Sequence, residues 1–278
     1  MPGWAEVTRM FRGSVMSEVE RSPSSTLSRE RRYGIAISIA LILGGGWWAL
    51  TDLTAGIRTS EVHYPIQGTS LVIDAGAADL EIRSADVREI TVTGRTERNV
   101  FGSDPAQKYE NGRLELDDTG CGFLSFACDT GYVIVVPTDL PVHAETKSGD
   151  LKASDLPGGA DLKSSSGDVE ASAIGGDLRL ESSSGDLEAS TLGAAGVVAK
   201  TRSGDVDLTF DAAPSSVQAE SRSGDVAIEV PSGGDVYRVD TNTSSGDQST
   251  TVTTDPASPR SITAKSSSGD VSVEYAGN

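Results

Sequence analysis

The chain has 278 residues, 31 of them glycine and only 5% aromatic, with a formal net charge of −18. That length allows one substantial core or two modest ones, but so few rings suit a narrow core of Val, Leu, Ile and Ala better than a thick one. Residues 1–32 carry six Arg against four Glu, a balance of +2, and residues 53–278 hold −19, which argues against nucleic acid or anionic headgroups as partners.

Residues 1–32 are polar and lack a sustained apolar period, the pattern of a disordered cytoplasmic tail. A transmembrane helix is expected at residues 33–53. Its uncharged centre, residues 34–51, reads GIAISIALILGGGWWALT, and as helix it spans about 27 Å, close to the hydrocarbon thickness of a bilayer. Arg29, Arg31 and Arg32 precede it, whereas Asp52 and the single Arg58 follow, which places the N-terminus in the cytoplasm and the rest outside. A cleaved signal peptide is the competing reading; a basic region of about thirty residues and no A-x-A site after Leu50 favour the anchor.

After a connector at residues 54–65, an N-terminal β region is expected at 66–140. TSLVIDAG (69–76), ADLEIRS (78–84) and REITVTGR (88–95) alternate apolar and polar residues as half-buried strands do. Residues 96–110 have a loop composition. Cys121 and Cys128 lie between the strand-like runs GRLELDD (112–118) and GYVIVVP (131–137), which predicts a hairpin whose tip is closed by a disulfide in an oxidising compartment. A redox or metal role is the alternative, but two sulfurs without a His or acidic cluster make a poor metal site.

From residue 141 to 278 the sequence repeats itself. Ser-Gly-Asp occurs seven times, at Gly149-Asp150, Gly167-Asp168, Gly185-Asp186, Gly204-Asp205, Gly224-Asp225, Gly246-Asp247 and Gly269-Asp270. The steps grow from 18 to 23 residues, a period that points to a solenoid. Aligned on the glycine, the positions seven and five before it and two and four after it are mostly Val, Leu, Ile and Ala, so each copy reads as strand, corner and second strand with both apolar faces inward.

The position three before the glycine is always Ser or Thr, an inward hydroxyl near the corner. Four before stand Glu145, Lys163, Glu181, Lys200, Glu220, Asn242 and Lys265, an outward column whose charges alternate if successive copies stack in parallel. The sixth copy places Thr241, Gln248 and Thr250 at inward positions and is expected to be the weakest rung. Insertions gather at the second corner.

Seven stacked aspartates repel one another unless compensated. One reading is a cation-binding ladder, since rows of carboxylate oxygens suit calcium. The other is that each Asp accepts backbone N–H bonds at its own corner while Lys147, Arg202 and Arg222 offset the charge; the lack of the G-G-x-G-x-D repeat of calcium-binding β-rolls favours it. His63 and His143 are the only histidines and sit in no nucleophile or metal motif, so no catalytic residue, metal or cofactor is assigned and an enzyme is not expected.

The runs VPTDLPVHAETKSGDLKAS, SSSGDVEAS, SSSGDLEAS, TRSGDVDLTF and SRSGDVAIEV, with LVIDAGAADLEIRSADVREITVTGR upstream, resemble a bacterial putative-adhesin family, a domain of unknown function in envelope proteins. The resemblance covers most of residues 66–276. It implies an exported, all-β, parallel β-solenoid and supplies no catalytic or binding residues. The expected protein is therefore a single-pass membrane protein with an extracytoplasmic, adhesin-like interaction module for a cell-envelope or surface ligand. Two rivals are a stress-linked envelope scaffold assembling end to end, motivated by the apparently uncapped last run VSVEY (271–275), and a carboxylate-dependent hydrolase.

Overall fold

The computed structural model describes residues 57–97, 107–116 and 130–277, all within one compact unit. The tail, the expected membrane segment at 34–51 and both cysteines lie outside the described residues. Those described form strands and no helix. The first seven are β1 (Ile57–Pro65), β2 (Leu71–Ala75), β3 (Asp79–Ala85), β4 (Glu89–Glu97), β5 (Gln107–Glu110), β6 (Arg113–Leu116) and β7 (Thr130–Pro137). The repeats then supply a pair each: β8 (Val142–Thr146) and β9 (Leu151–Ser154), β10 (Ala160–Ser164) and β11 (Val169–Ser172), β12 (Leu178–Ser182) and β13 (Leu187–Leu192), β14 (Gly196–Lys200) and β15 (Val206–Phe210). Next come β16 (Ser216–Glu220) and β17 (Val226–Val230), β18 (Arg238–Thr243) and β19 (Gln248–Thr250), β20 (Ser261–Ser266) and β21 (Val271–Tyr275).

Each pair is one rung, its first strand in one sheet and its second in the other. The sheets run β1-β4-β7-β3-β9-β11-β13-β15-β17-β21-β19 and β18-β20-β16-β14-β12-β10-β8-β2-β6-β5. Rungs stack in parallel and in register, with Leu162 beside Ala144 and Leu180, and Val169 beside Leu151 and Leu187. The apolar columns therefore face each other between the sheets and form one continuous core from Leu71 to Val273. Each large side chain so buried contributes about 1.5–3 kcal/mol, which is how a narrow core holds a long stack.

Rungs do not stack in chain order at either end. The seventh copy, β20–β21, lies between the fifth and the sixth, so β18–β19 is outermost. Burial explains this placement. Ile262, Ala264, Val271 and Val273 are at most 1% exposed, whereas every residue of β19 is exposed and β18 is at best half-buried. The polar sixth copy thus caps the apolar seventh. VSVEY is consequently an interior strand, which removes the reason for expecting an uncapped edge there.

The same exchange occurs at the other end. β2–β3 comes first in the chain yet lies second in the stack, beneath β8–β9 and above β6–β7. Antiparallel β4 and β1 extend one sheet beyond β7, and β5 extends the other beyond β6. The expected hairpin between GRLELDD and GYVIVVP is therefore corrected. β6 and β7 lie in different sheets and do not pair with each other.

The crossing from the cap back into the stack is tied by polar bonds. Arg260 donates to the carbonyls of Ala213 and Pro214 and lies 3.3 Å from the Asp235 carboxylate. Ser258 donates to Val236 O and the Tyr275 hydroxyl to Asp235 O.

Candidate ligand-binding groove

The Ser-Gly-Asp corners form one edge of the stack, and two ladders of bonds define it. Each Asp Oδ1 accepts the backbone N–H of the Asp in the next rung, at 2.7–3.1 Å, through Asp79, Asp150, Asp168, Asp186, Asp205, Asp225, Asp270 and Asp247. The carboxylates therefore bond between rungs rather than within their own corners. Asp79 also belongs, although Ala78 holds the glycine position and hides the motif.

The hydroxyl column supplies the second ladder. Thr146, Thr201, Ser221, Ser266 and Thr243 donate to the carbonyls of Gly76, Gly185, Gly204, Gly224 and Gly269 at 2.8–3.2 Å. Glycine is required because the corners touch. A Cβ at Gly167 would fall 2.1 Å from Gly149 O, and one at Gly269 2.2 Å from Gly224 O. Corner backbones at this spacing leave no room for a side chain.

The alternating charge column runs beside this edge. In stack order it reads Glu145, Lys163, Glu181, Lys200, Glu220, Lys265 and Asn242, so opposite charges neighbour one another throughout and the neutral Asn sits on the cap. Lys163–Glu181 closes to 3.4 Å and Lys200–Glu220 to 3.1 Å. The Gln218 amide and then Lys200 hold the Glu220 carboxyl below its ordinary value.

Between the charge column and the corner ridge lies a groove of about 710 Å³ crossing seven rungs. Its walls carry Lys163, Lys200, Arg202, Arg222 and Lys265 against Glu145, Glu181 and Glu220, with Ser165, Ser183, Ser244 and Ser267 along the ridge. Arg202 and Arg222 do not pair with the Asp column as expected. Among the described residues no carboxylate lies within 4 Å of either guanidinium, and both face the groove.

On the opposite, acidic side, Asp207 neighbours Glu188. Burial, then Asp205, Glu188, Asp186 and Asp225, raise its pKa. No group of three or more His, Cys, Asp or Glu positioned for a metal occurs among the described residues. A second groove of about 480 Å³ at the second corners includes His143, 3.7 Å from Asp161, one of whose oxygens is buried without a partner. His63 lies between Thr91 and Glu61 on exposed β1 and lines neither groove. Sequence reasoning found the corner and its columns. It missed the groove because concavity depends on how far the ridge stands out from the sheet.

The sequence model of the Toastrack DUF4097 family matches residues 138–276. Among solved structures, a putative adhesin from Bacteroides fragilis is 16% identical, covers 78% of this chain and 97% of its own, and superposes with a TM-score of 0.52. A putative adhesin from Parabacteroides distasonis (10%, 78% and 97%, TM-score 0.41) and a putative cell adhesion protein from Clostridium sporogenes (13%, 78% and 100%, TM-score 0.37) are also similar. The likeness concerns the fold, and the Bacteroides structure carries it. No curated protein matches significantly.

Proposed function

Starting from the premise that the chain belongs to the Toastrack DUF4097 family, we propose that it is a single-pass envelope protein displaying an adhesin-like interaction module outside the cytoplasmic membrane. The observation that carries this reading is the groove across seven rungs, a long, regular surface suited to an extended ligand rather than to one reacting bond. A rung spacing near 4.8 Å repeats the same side-chain types at fixed intervals, and polymers are recognised by such repetition. The similar Bacteroides fragilis structure is named a putative adhesin, which supports the same class. Residues 34–51 anchor the module, and Cys121 and Cys128 form a bridge in the oxidising compartment.

The test is retention of the full chain, in detergent, on isolated envelope polymers and intact cells. Binding to at least one is expected; binding to none overturns the interaction reading. Protease added to whole cells should cleave the module and spare the tail. Thiol labelling of unreduced, denatured protein should find neither cysteine free.

A further inference from the structure

We propose that the groove takes a phosphorylated glycan, with one phosphate clamped between Arg202 and Arg222. This rests on the interaction reading above and names its ligand class. Ser203 and Ser223 pair in parallel, so the two arginines just before them stand on adjacent rungs, about 4.8 Å apart. Both line the groove, and neither has a carboxylate within 4 Å among the described residues. Other cations of the groove are already engaged: Lys163 with Glu181, Lys200 with Glu220 and Lys265 with Asp240. Two arginines on adjacent rungs, neither with a carboxylate partner among the described residues, are the unusual feature of so acidic a chain.

The chemistry of the anion follows from geometry. A carboxylate has two oxygens and saturates one guanidinium fork, as do the two terminal oxygens of a phosphodiester, whereas a phosphate monoester carries three terminal oxygens and can accept from both arginines at once. Along the ridge, Ser183 and Ser165 on one side and Ser267 and Ser244 on the other extend the site with hydroxyls that suit the neutral, hydroxylated units of a sugar chain. Six rung steps make the groove roughly 29 Å long, room for several sugar units. Phosphates must be sparse, because a densely charged backbone would meet Glu181 and Glu220 as well as the acidic bulk. The ladder on the corner's far side is occupied by its own backbone bonds, so it leaves the arginines free.

The full chain in detergent is titrated with a phosphomannan, the same mannan after phosphatase treatment, polygalacturonate and double-stranded DNA. Expected is binding of the phosphomannan alone. Arg202→Gln and Arg222→Gln each weaken it about tenfold, the double variant abolishes it, and Arg238→Gln, outside the groove, leaves it unchanged. Equal affinity for the dephosphorylated mannan, preference for polygalacturonate or DNA, or full binding by the double variant overturns the proposal. If the double variant still binds envelope material as the parent does, the interaction reading survives and the phosphate clamp falls. If the parent binds phosphomannan but no envelope material, the clamp survives and the interaction reading falls.

Discussion

At the corner a single atom decides whether two rungs can meet. Gly204→Ala would push a Cβ to 2.2 Å from Gly185 O and should cost about 2 kcal/mol or more, whereas Gly233→Ala, with only a carboxylate oxygen 3.5 Å away, should stay within about 0.5 kcal/mol; urea melts of both variants check this. The second corner behaves oppositely. Asp155, Ala173 and Thr191 occupy left-handed backbone at φ 53–56°, so Ala173→Gly relieves strain of about 1–2 kcal/mol against an entropic cost of roughly 0.5–1 kcal/mol and should stabilise slightly in the same melts. Asp168 serves as an acceptor, and Asp168→Asn should therefore outlast Asp168→Ala, with neither melting point moved by millimolar calcium; a calcium-dependent rise would reinstate the cation ladder. Asp207 has a titration signature. Its folded pKa is raised, so its charged form weakens the fold as pH rises through that value. Asp207→Asn should melt higher than the parent at pH 7, and the advantage should shrink as pH falls from the raised folded value toward the ordinary 3.8 and vanish below it, where the parent carboxyl is protonated in both states.

Among elements, legibility depended on whether a residue's neighbour in space was also its neighbour in the repeat. The columns through Leu162, Leu180 and Val169 could be read because alternation is local and the copies share one period. The exchange of the last two rungs was written in two places yet hard to read: Asn242 interrupts the alternation of Glu220 and Lys265 in chain order, and Thr241, Gln248 and Thr250 are too polar for an interior rung. In chain order the polar triplet reads as weakness in the sixth copy and the Asn as a simple gap, since nothing local says that a later strand slides beneath it. β6 and β7 were misread as a hairpin because two short strands joined by a loop look alike whether they pair or turn a corner. A consequence can be measured. Among the described strands, β18 and β19 pair only with β20 and β21, so a chain shortened to end at Arg260 should lose amide-exchange protection over 239–250, although those residues are retained. Persistent protection there would show that the sixth copy docks on the fifth.

For the whole molecule, the polar cap separates a finite stack from a growing one. The shortened chain exposes Val217, Ala219, Val226 and Ile228, at most 1% exposed in the intact stack, and light scattering should show it self-associating while the full chain in detergent does not. The site was only partly legible: its corner residues recur visibly, but the pairing of Arg202 with Arg222 and the depth beside them arise from stacking. The exchanged rungs also set how the molecule bears tension. A pull on the chain beyond β21 would load a strand held on both sides, by β17 and by β19, so two ladders of hydrogen bonds resist it. Had the copies stacked in chain order, the same pull would have met an edge strand held by one ladder.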